Sequence, residues 1–420
     1  MRLKVERRVQ ISTISMLLII FLGACSSPST SSPSLPASTS PNSSVANSAA
    51  WTVQGVYNLG GRAQNVFAGL SCFDSMNCQA AGGSMTTNYL LGTSNGGSSW
   101  SREAVPPFLT KALNGGGSVG NLSGISCPSA STCYGITQHN YNVTFGTVTS
   151  SGLGAAIVST HDSGSTWKLV TTIPNTLFFN SISCSTEIDC VAVGETSSSS
   201  QDSAGFIAYS NNGVSWIKAN VASSTPVLNG VSCPTLSHCV AVGSDMSSNK
   251  SVVLVSNDGG KTWIKSPLPG SFNSLQTLAC PSAKVCFALA SSTASGNSGN
   301  SGILGPSVVV KTVDGGKSWT PGTPLDASES PLSISCVSSS ECFMVGYSSE
   351  GNSPSALILE TKDAGASWIP VNAPESVSVL MRVSCVTSGS CWAVGGKSPA
   401  NNSSLIGTFT TGYILFSKGN

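Results

Sequence analysis

The sequence predicts an all-β chain, a seven-bladed β-propeller of four-stranded blades with one C-x5-C disulfide per blade. Three observations carry this. Seven cysteine pairs share one spacing, and a Gly-containing turn that ends in Trp alternates with them. The composition is also turn-rich, with 44 Gly and only 9% charged residues among 420, against about 25% charge in an average soluble domain. No long stretch places apolar residues at i, i+3, i+4 and i+7, so no helical domain is expected. Length alone suggests two or three domains. A closed ring of repeats makes that count misleading.

The pairs are Cys72/Cys78, Cys127/Cys133, Cys184/Cys190, Cys233/Cys239, Cys280/Cys286, Cys336/Cys342 and Cys385/Cys391. Their first members stand 55, 57, 49, 47, 56 and 49 residues apart. Apolar and small residues alternate on both sides of each pair, as in Val240-Ala241-Val242-Gly243, so each pair bridges the two strands of a tight hairpin. Metal binding is not expected, because the chain has three His, at 139, 161 and 238, and none sits at ligand spacing. No cofactor is expected either.

The second repeat is clearest in Ser256-Asn257-Asp258-Gly259-Gly260-Lys261-Thr262-Trp263. Its other copies end at Trp100, Trp167, Trp216, Trp319 and Trp368. Five residues before each Trp stands Asn95, Asp162, Asn211, Asp258, Asp314 or Asp363, and three before it is always Gly. An Asx side chain can accept backbone N–H groups, Gly can take positive φ, and Trp can anchor the outgoing strand. The pattern resembles the Asp-box of the BNR repeat family, found in sialidase-type, sortilin-type and photosystem II assembly-factor propellers. The resemblance covers residues 51–420. It implies a propeller in which these Asx residues are structural turns.

In a four-stranded blade the Cys pair marks the A–B hairpin and the Asx turn marks C–D. From turn Trp to the next first Cys the distance is 17 residues in five cases, whereas from Cys to the following Trp it ranges from 28 to 40. The variable span holds the B–C loop, so insertions gather on one face. The blade-five insertion, Ser291 to Gly305, reads as a Ser/Gly/Asn linker. Seven Cys pairs stand against six complete turns. The last blade should therefore take its strand D from Trp51 at the N-terminal end, closing the ring. The competing source is the segment Tyr413 to Phe416.

Residues 1–24 read as an export signal, with a basic start and an apolar run, Ile11 to Leu22, too short to span a bilayer. Leu22-Gly23-Ala24-Cys25 resembles the lipobox of bacterial lipoproteins, which implies a lipidated Cys25 and a place on the outer face of a cell membrane or, with an outer membrane, in the periplasm. This accounts for the fifteenth Cys. Residues 25–50 are a Ser/Thr/Pro-rich stalk, and residues 51–420 are the propeller. The formal net charge is +1, of which residues 1–24 carry +3, leaving −2 for the remainder. That surface lacks the basic footprint nucleic acid requires.

Function is expected to be binding or scaffolding, as a monomer, toward a protein or carbohydrate partner, with the membrane reached only through the lipid. The candidate residues are Arg62 before blade one, Arg102 and Phe108 in the next D–A loop, and His139, Tyr141, Asn142 and Phe145 in the blade-two loop. The bland alternative is that these loops pack on one another. Arg382 is a further candidate. Three residues before each first Cys stand Gly69, Gly124, Ser181, Gly230, Thr277, Ser333 and Arg382, so the only large one reaches toward the axis. It either binds there or simply closes the channel as a solvated side chain. The alternative class is a glycoside hydrolase. Sialidases, however, need three carboxylate-binding arginines, and none of Arg62, Arg102 and Arg382 has the Phe-Arg-Ile-Pro context of that family. Other glycosidases need two facing carboxylates.

Overall fold

The computed structural model describes residues 50–420, apart from 64–66, 84–87, 111–121, 146–147, 174–175, 197–203, 222–225, 246–249, 271, 294–303, 352, 399–408 and 418–420. The expected export signal, Cys25 and nearly all of the stalk lie outside the described residues, as does most of the blade-five insertion. The described chain forms seven antiparallel sheets arranged as blades. In blade one, strand A (Phe67–Cys72) pairs with B (Cys78–Gly83), B with C (Asn88–Thr93), and C with D (Ser101–Arg102). Blades two to six repeat that order, and blade four adds the two-residue strand Asn220–Val221, parallel to its strand D.

Blade seven joins the two ends of the chain. Strands A (Val379–Thr387), B (Ser390–Lys397) and C (Phe409–Ser417) are C-terminal, and strand D is Trp51–Ala63. Trp51 pairs with Ser417 and Tyr57 with Gly412. Both candidate segments thus belong to this blade, the C-terminal one as strand C and the Trp51 segment as the outer strand. Trp51 is 5% exposed and meets Phe343 of blade six edge-on at 6.0 Å. Closure removes the free sheet edge an open ring would present.

All seven disulfides form within A–B hairpins: Cys72–Cys78, Cys127–Cys133, Cys184–Cys190, Cys233–Cys239, Cys280–Cys286, Cys336–Cys342 and Cys385–Cys391, with Cα atoms 3.9–4.1 Å apart. In blades one, three, six and seven the two cysteines oppose each other directly in the ladder. The two ends of a bridge differ in a way that the uniform spacing does not show. The second cysteine stands at the start of strand B and is buried in every blade; Cys190, Cys239, Cys342 and Cys391 are at most 2% exposed. Each belongs to an apolar cluster, Cys190 with Phe206, Cys239 with Trp263, Cys342 with Leu359 and Cys391 with Leu415. The first cysteine is half-buried except for Cys233, because strand A ends there at the hairpin. These residues are therefore core positions as much as staples, and none of the second members is an accessible site.

The C–D turns lie on the same face and bond to those hairpins: Gly259 donates its N–H to Ser237 O at 2.9 Å, and Gly315 donates to Lys284 O at 2.9 Å. In the turns, Asp314 Oδ1 accepts the Thr312 hydroxyl at 2.8 Å and the Ser318 N–H at 3.0 Å, while Oδ2 accepts the Ser318 hydroxyl at 2.5 Å. Asp162, Asp258 and Asp363 make the same pattern, and Asn95 makes it through Oδ1, its Nδ2 donating to Ser99 Oγ at 2.8 Å. Blade three differs from the sequence reading. Its acceptor is Asn212, which takes the N–H groups of Val214 and Ser215 at 3.0 and 2.7 Å, and not Asn211, which ends strand C. The turn there is one residue shorter, so counting back from Trp216 overshoots.

The turn glycines do two things. Gly260 has φ +86°, and a Cβ on it would lie 2.5 Å from Val191 Cγ2 of blade three. The turn can therefore press on the preceding blade. Between blades the core is apolar. Val191, Val193 and Ile207 of blade three pack with Leu228, Ala241 and Trp263 of blade four. Burial of such side chains contributes about 1.5–3 kcal/mol each.

A belt of hydroxyls also links the blades. The residue before each first Cys accepts the N–H of the next blade's first Cys: Ser71 from Cys127, Ser126 from Cys184, Ser183 from Cys233, Ser232 from Cys280, Ser335 from Cys385 and Ser384 from Cys72, at 3.0–3.3 Å. Ala279 stands at this place in blade five.

Candidate functional site in the axial cavity

Six of the seven inner strands carry a one-residue irregularity at the same place, four residues before the first Cys. Pairing skips Ala68, Asn180, Asn229, Gln276, Leu332 and Met381. The bulge brings backbones together, so the facing residue of strand B is small. A Cβ on Gly243 would lie 2.0 Å from Val227 O. Bulges re-aim side chains locally, and here they mark the part of each inner strand that lines the axis.

The inner strands of all seven blades enclose a cavity of about 230 Å³. One arc is polar, with Ser123, Asn180, Asn229, Gln276 and Thr277, and another is aliphatic, with Leu332 and Ile334. Asn180 Nδ2 donates to Leu228 O at 2.9 Å, and Asn229 Nδ2 donates to Leu275 O at 2.9 Å and to Ser274 Oγ at 3.2 Å. Both N–H groups of Asn229 and one of Asn180 are thereby committed to the next blade, while the amide oxygens keep accepting capacity.

Arg382 is the charged member of this lining. Its Nη1 donates to Met381 O at 2.9 Å. Among the described residues no carboxylate pairs with it. Desolvation holds its pKa below the ordinary arginine value. The residue as a whole is half-buried, because the cavity itself reaches the side chain. A partly desolvated cation without a counter-charge carries a cost.

The remaining candidates are dispersed. Arg102 lies on strand D of blade one, not in a D–A loop. Its guanidinium sits 4.7 Å from the Tyr89 ring centroid, and it lines a cleft of about 450 Å³ formed with the hairpin and turn residues Phe73, Ser129 and Ser163. That cleft is on the disulfide and Asx-turn face, opposite to the expected one, because strand D starts directly after Trp100. Phe108 sits in a one-turn helix, Pro107–Thr110, and packs half-buried against the cluster of Leu109, Leu122 and Trp167, so its ring belongs to the core between blades one and two. His139, Tyr141, Asn142 and Phe145 lie not in a loop but in strand B of blade two, Cys133–Phe145, which pairs with Val148–Thr160 out to Phe145 opposite Val148. Arg62 lies in strand D of blade seven. The side chains of these last five are outside the described residues.

The sequence reading missed Glu103. It accepts the Trp167 indole N–H at 3.1 Å. Burial pushes its carboxyl pKa up, opposed by the bonds from Trp167 and Gln79 and aided by the nearby Asp162 charge. The signal was present: Glu103 stands three residues after Trp100, as Gln54 stands three after Trp51, and both side chains press on the turn glycine of the next blade, Gly164 and Gly97.

No protein-family model matches the chain, and no curated protein matches it in sequence. Solved structures do. "YCF48 bound to D1 peptide" is 14% identical with a TM-score of 0.54, covering 88% of this chain and 97% of that one. YCF48 from Cyanidioschyzon merolae is 12% identical with a TM-score of 0.54, covering 88% and 99%. A polysaccharide lyase, an ulvan lyase bound to -[GlcA(1-4)Rha3S]-, is 9% identical with a TM-score of 0.50, covering 86% and 96%. At these identities the likeness is one of fold. It places the chain among the β-propellers, alongside a peptide-bound protein and a glycan-active enzyme.

Proposed function

We propose that this protein is a lipid-anchored, cell-surface binding propeller that holds a protein or glycan partner at its axis and on the face carrying the B–C and D–A connections. The observation that carries this reading is Arg382, the residue that breaks a sevenfold pattern of small side chains and lines the axial cavity without a carboxylate partner among the described residues. Disulfides, Asx turns and the hydroxyl belt account structurally for the opposite half of each blade. The long blade-two hairpin ending at Phe145 and Val148 offers adaptable reach on the insertion side. Cys25 would hold the ring at the membrane on the Ser/Thr/Pro-rich stalk. The solved likenesses support such a reading only as fold, since propellers of this shape serve both peptide and oligosaccharide ligands.

The competing reading is a glycoside hydrolase, and Glu103 beside Asp162 is what favours it. A carboxyl pushed up next to one held down is the pattern of an acid and its partner. Both Asp162 oxygens, however, are occupied by Thr160 and Thr166 within the turn. The test is a glycan array and a peptide array probed with the full chain and with a Tyr141→Ala/Phe145→Ala variant. A defined hit lost in the variant at an unchanged melting temperature is the expected result. Hydrolysis of a sialoside or β-glucan by the parent protein, abolished by Glu103→Gln, would restore the enzyme class.

A further inference from the structure

We propose that the axial cavity is a site for a compact monocarboxylate bearing N–H or O–H donors beside its carboxyl group, with Arg382 taking the carboxylate. This rests on the reading of the axis as a ligand site and adds the chemistry that site selects. One guanidinium among neutral side chains balances one negative charge, which disfavours polyanions. Its planar fork matches a carboxylate through two parallel hydrogen bonds, and the bond from Nη1 to Met381 O steadies the fork without neutralising it. Across the cavity, Asn229 Nδ2 donates to Leu275 O and Ser274 Oγ, and Asn180 Nδ2 donates one N–H to Leu228 O. The oxygens left on that arc call for donors from the ligand. Leu332 and Ile334 complete the wall with a surface suited to a short aliphatic part. The volume of about 230 Å³ admits a single small residue or ring and not a folded segment. Arg382 also has no sevenfold counterpart, so the ring does not need a cation there in order to close. The six other blades manage with Gly, Ser or Thr.

Two sources could supply this chemistry, a sugar acid and a free amino-acid or peptide terminus. The full chain in mild detergent is titrated with D-glucuronate against D-glucose, and with N-acetyl-alanyl-alanine against its C-terminal amide, following ligand NMR. The expected result is binding of at least one acid and not of its neutral counterpart; which pair responds identifies the source. Arg382→Gln should weaken that binding about tenfold or more, as loss of a charged hydrogen bond does, at an unchanged melting temperature. Arg382→Lys, which keeps the charge but not the fork, should fall between the two and supplies the readout if the Gln variant folds poorly. Equal binding of acid and neutral forms, an unaffected Arg382→Gln variant, or no binding of either acid would overturn the proposal. A Tyr141/Phe145-dependent array hit that persists in Arg382→Gln would remove the axial site while leaving the binding propeller intact.

Discussion

Cys72 donates its backbone N–H to Ser384 Oγ at 3.0 Å, across 312 residues of sequence. This bond links blade one to blade seven. Five equivalents link other neighbours, and the belt is interrupted where Ala279 faces Cys336. Placing a hydroxyl there, Ala279→Ser, should stabilise the ring by about 1 kcal/mol, the usual net worth of a hydrogen bond, and Ser384→Ala should cost a similar amount. Denaturant midpoints at constant slope report both. An Ala279→Ser protein no more stable than its parent would show that the belt is incidental to closure.

Closure by the N-terminal strand sets a larger effect. Trp51 is buried against blade six, and removing its ring by Trp51→Ala should cost about 3–5 kcal/mol. Deleting residues 51–56 should destabilise the whole ring, since it strips pairing from Tyr413–Ser417. Deleting residues 26–49 should leave melting unchanged, because that stretch has little to bury. Calorimetry separates these cases, and a protein lacking residues 51–56 that melts like the parent would refute closure through Trp51.

Each disulfide closes a loop with a sequence separation of six. Replacing one pair, such as Cys280→Ser with Cys286→Ser, should cost roughly 2 kcal/mol by the chain-entropy relation. The burial of the second cysteine adds an asymmetry: in a reduced background, Cys342→Ser should cost more than Cys336→Ser, because it sets a hydroxyl in an apolar cluster. Peptide mapping without reductant should return seven local bridges and no thiol outside Cys25. A bridge between two blades would contradict the pairing.

The Asx turns make the protein acid-sensitive in a defined window. Hydroxyl bonds from Thr166, Ser318 and Ser367, followed by the N–H groups of the same residues, hold Asp162, Asp314 and Asp363 at about 2. Their folded values lie below the unfolded carboxylate near about 3.9, so their contribution is present above that pH and is lost as pH falls toward about 2. The part of the melting temperature that these turns supply should stay level from neutral pH down to about 5 and drop below about 4. In Asp314→Asn the drop should be shallower. These groups are exposed, so each effect is modest and shrinks in salt. A melting temperature as high at pH 2.5 as at pH 6 would rule the turns out as the cause.

Glu103 has the opposite sign. Its carboxyl is pushed up by burial, so its contribution is present below the unfolded glutamate value near about 4.3 and is lost as pH rises through the folded one. Glu103→Gln should raise the melting temperature at pH 7 more than at pH 4. Equal effects at both pH values would place the role of Glu103 in packing.

The number of blades, the hairpin each disulfide closes and the turns that join strands C and D are legible in residue spacing. These depend on contacts a few residues apart, and spacing records such contacts directly: Cys to Cys, Thr312 to Asp314, Asp314 to Ser318. The sequence also marked Arg382, because sevenfold repetition makes one large residue conspicuous. The tertiary structure alone decided the rest. Asn212 replaced Asn211 once the shorter turn of blade three was seen. Arg102 moved to the opposite face, Phe108 into the core, and the blade-two insertion into a ladder running to Phe145. Which end of each bridge is buried, Cys190 and Cys239 and not Cys184, also depended on the packing around strand B. The hydroxyl belt and Glu103 were invisible in one repeat, since their partners belong to the next blade, 50 residues away for Ser183 and Cys233 and 64 for Glu103 and Trp167. Contacts between blades depend on how strongly the ring curves and how each sheet twists. Those are properties of seven blades together, which no single repeat encodes.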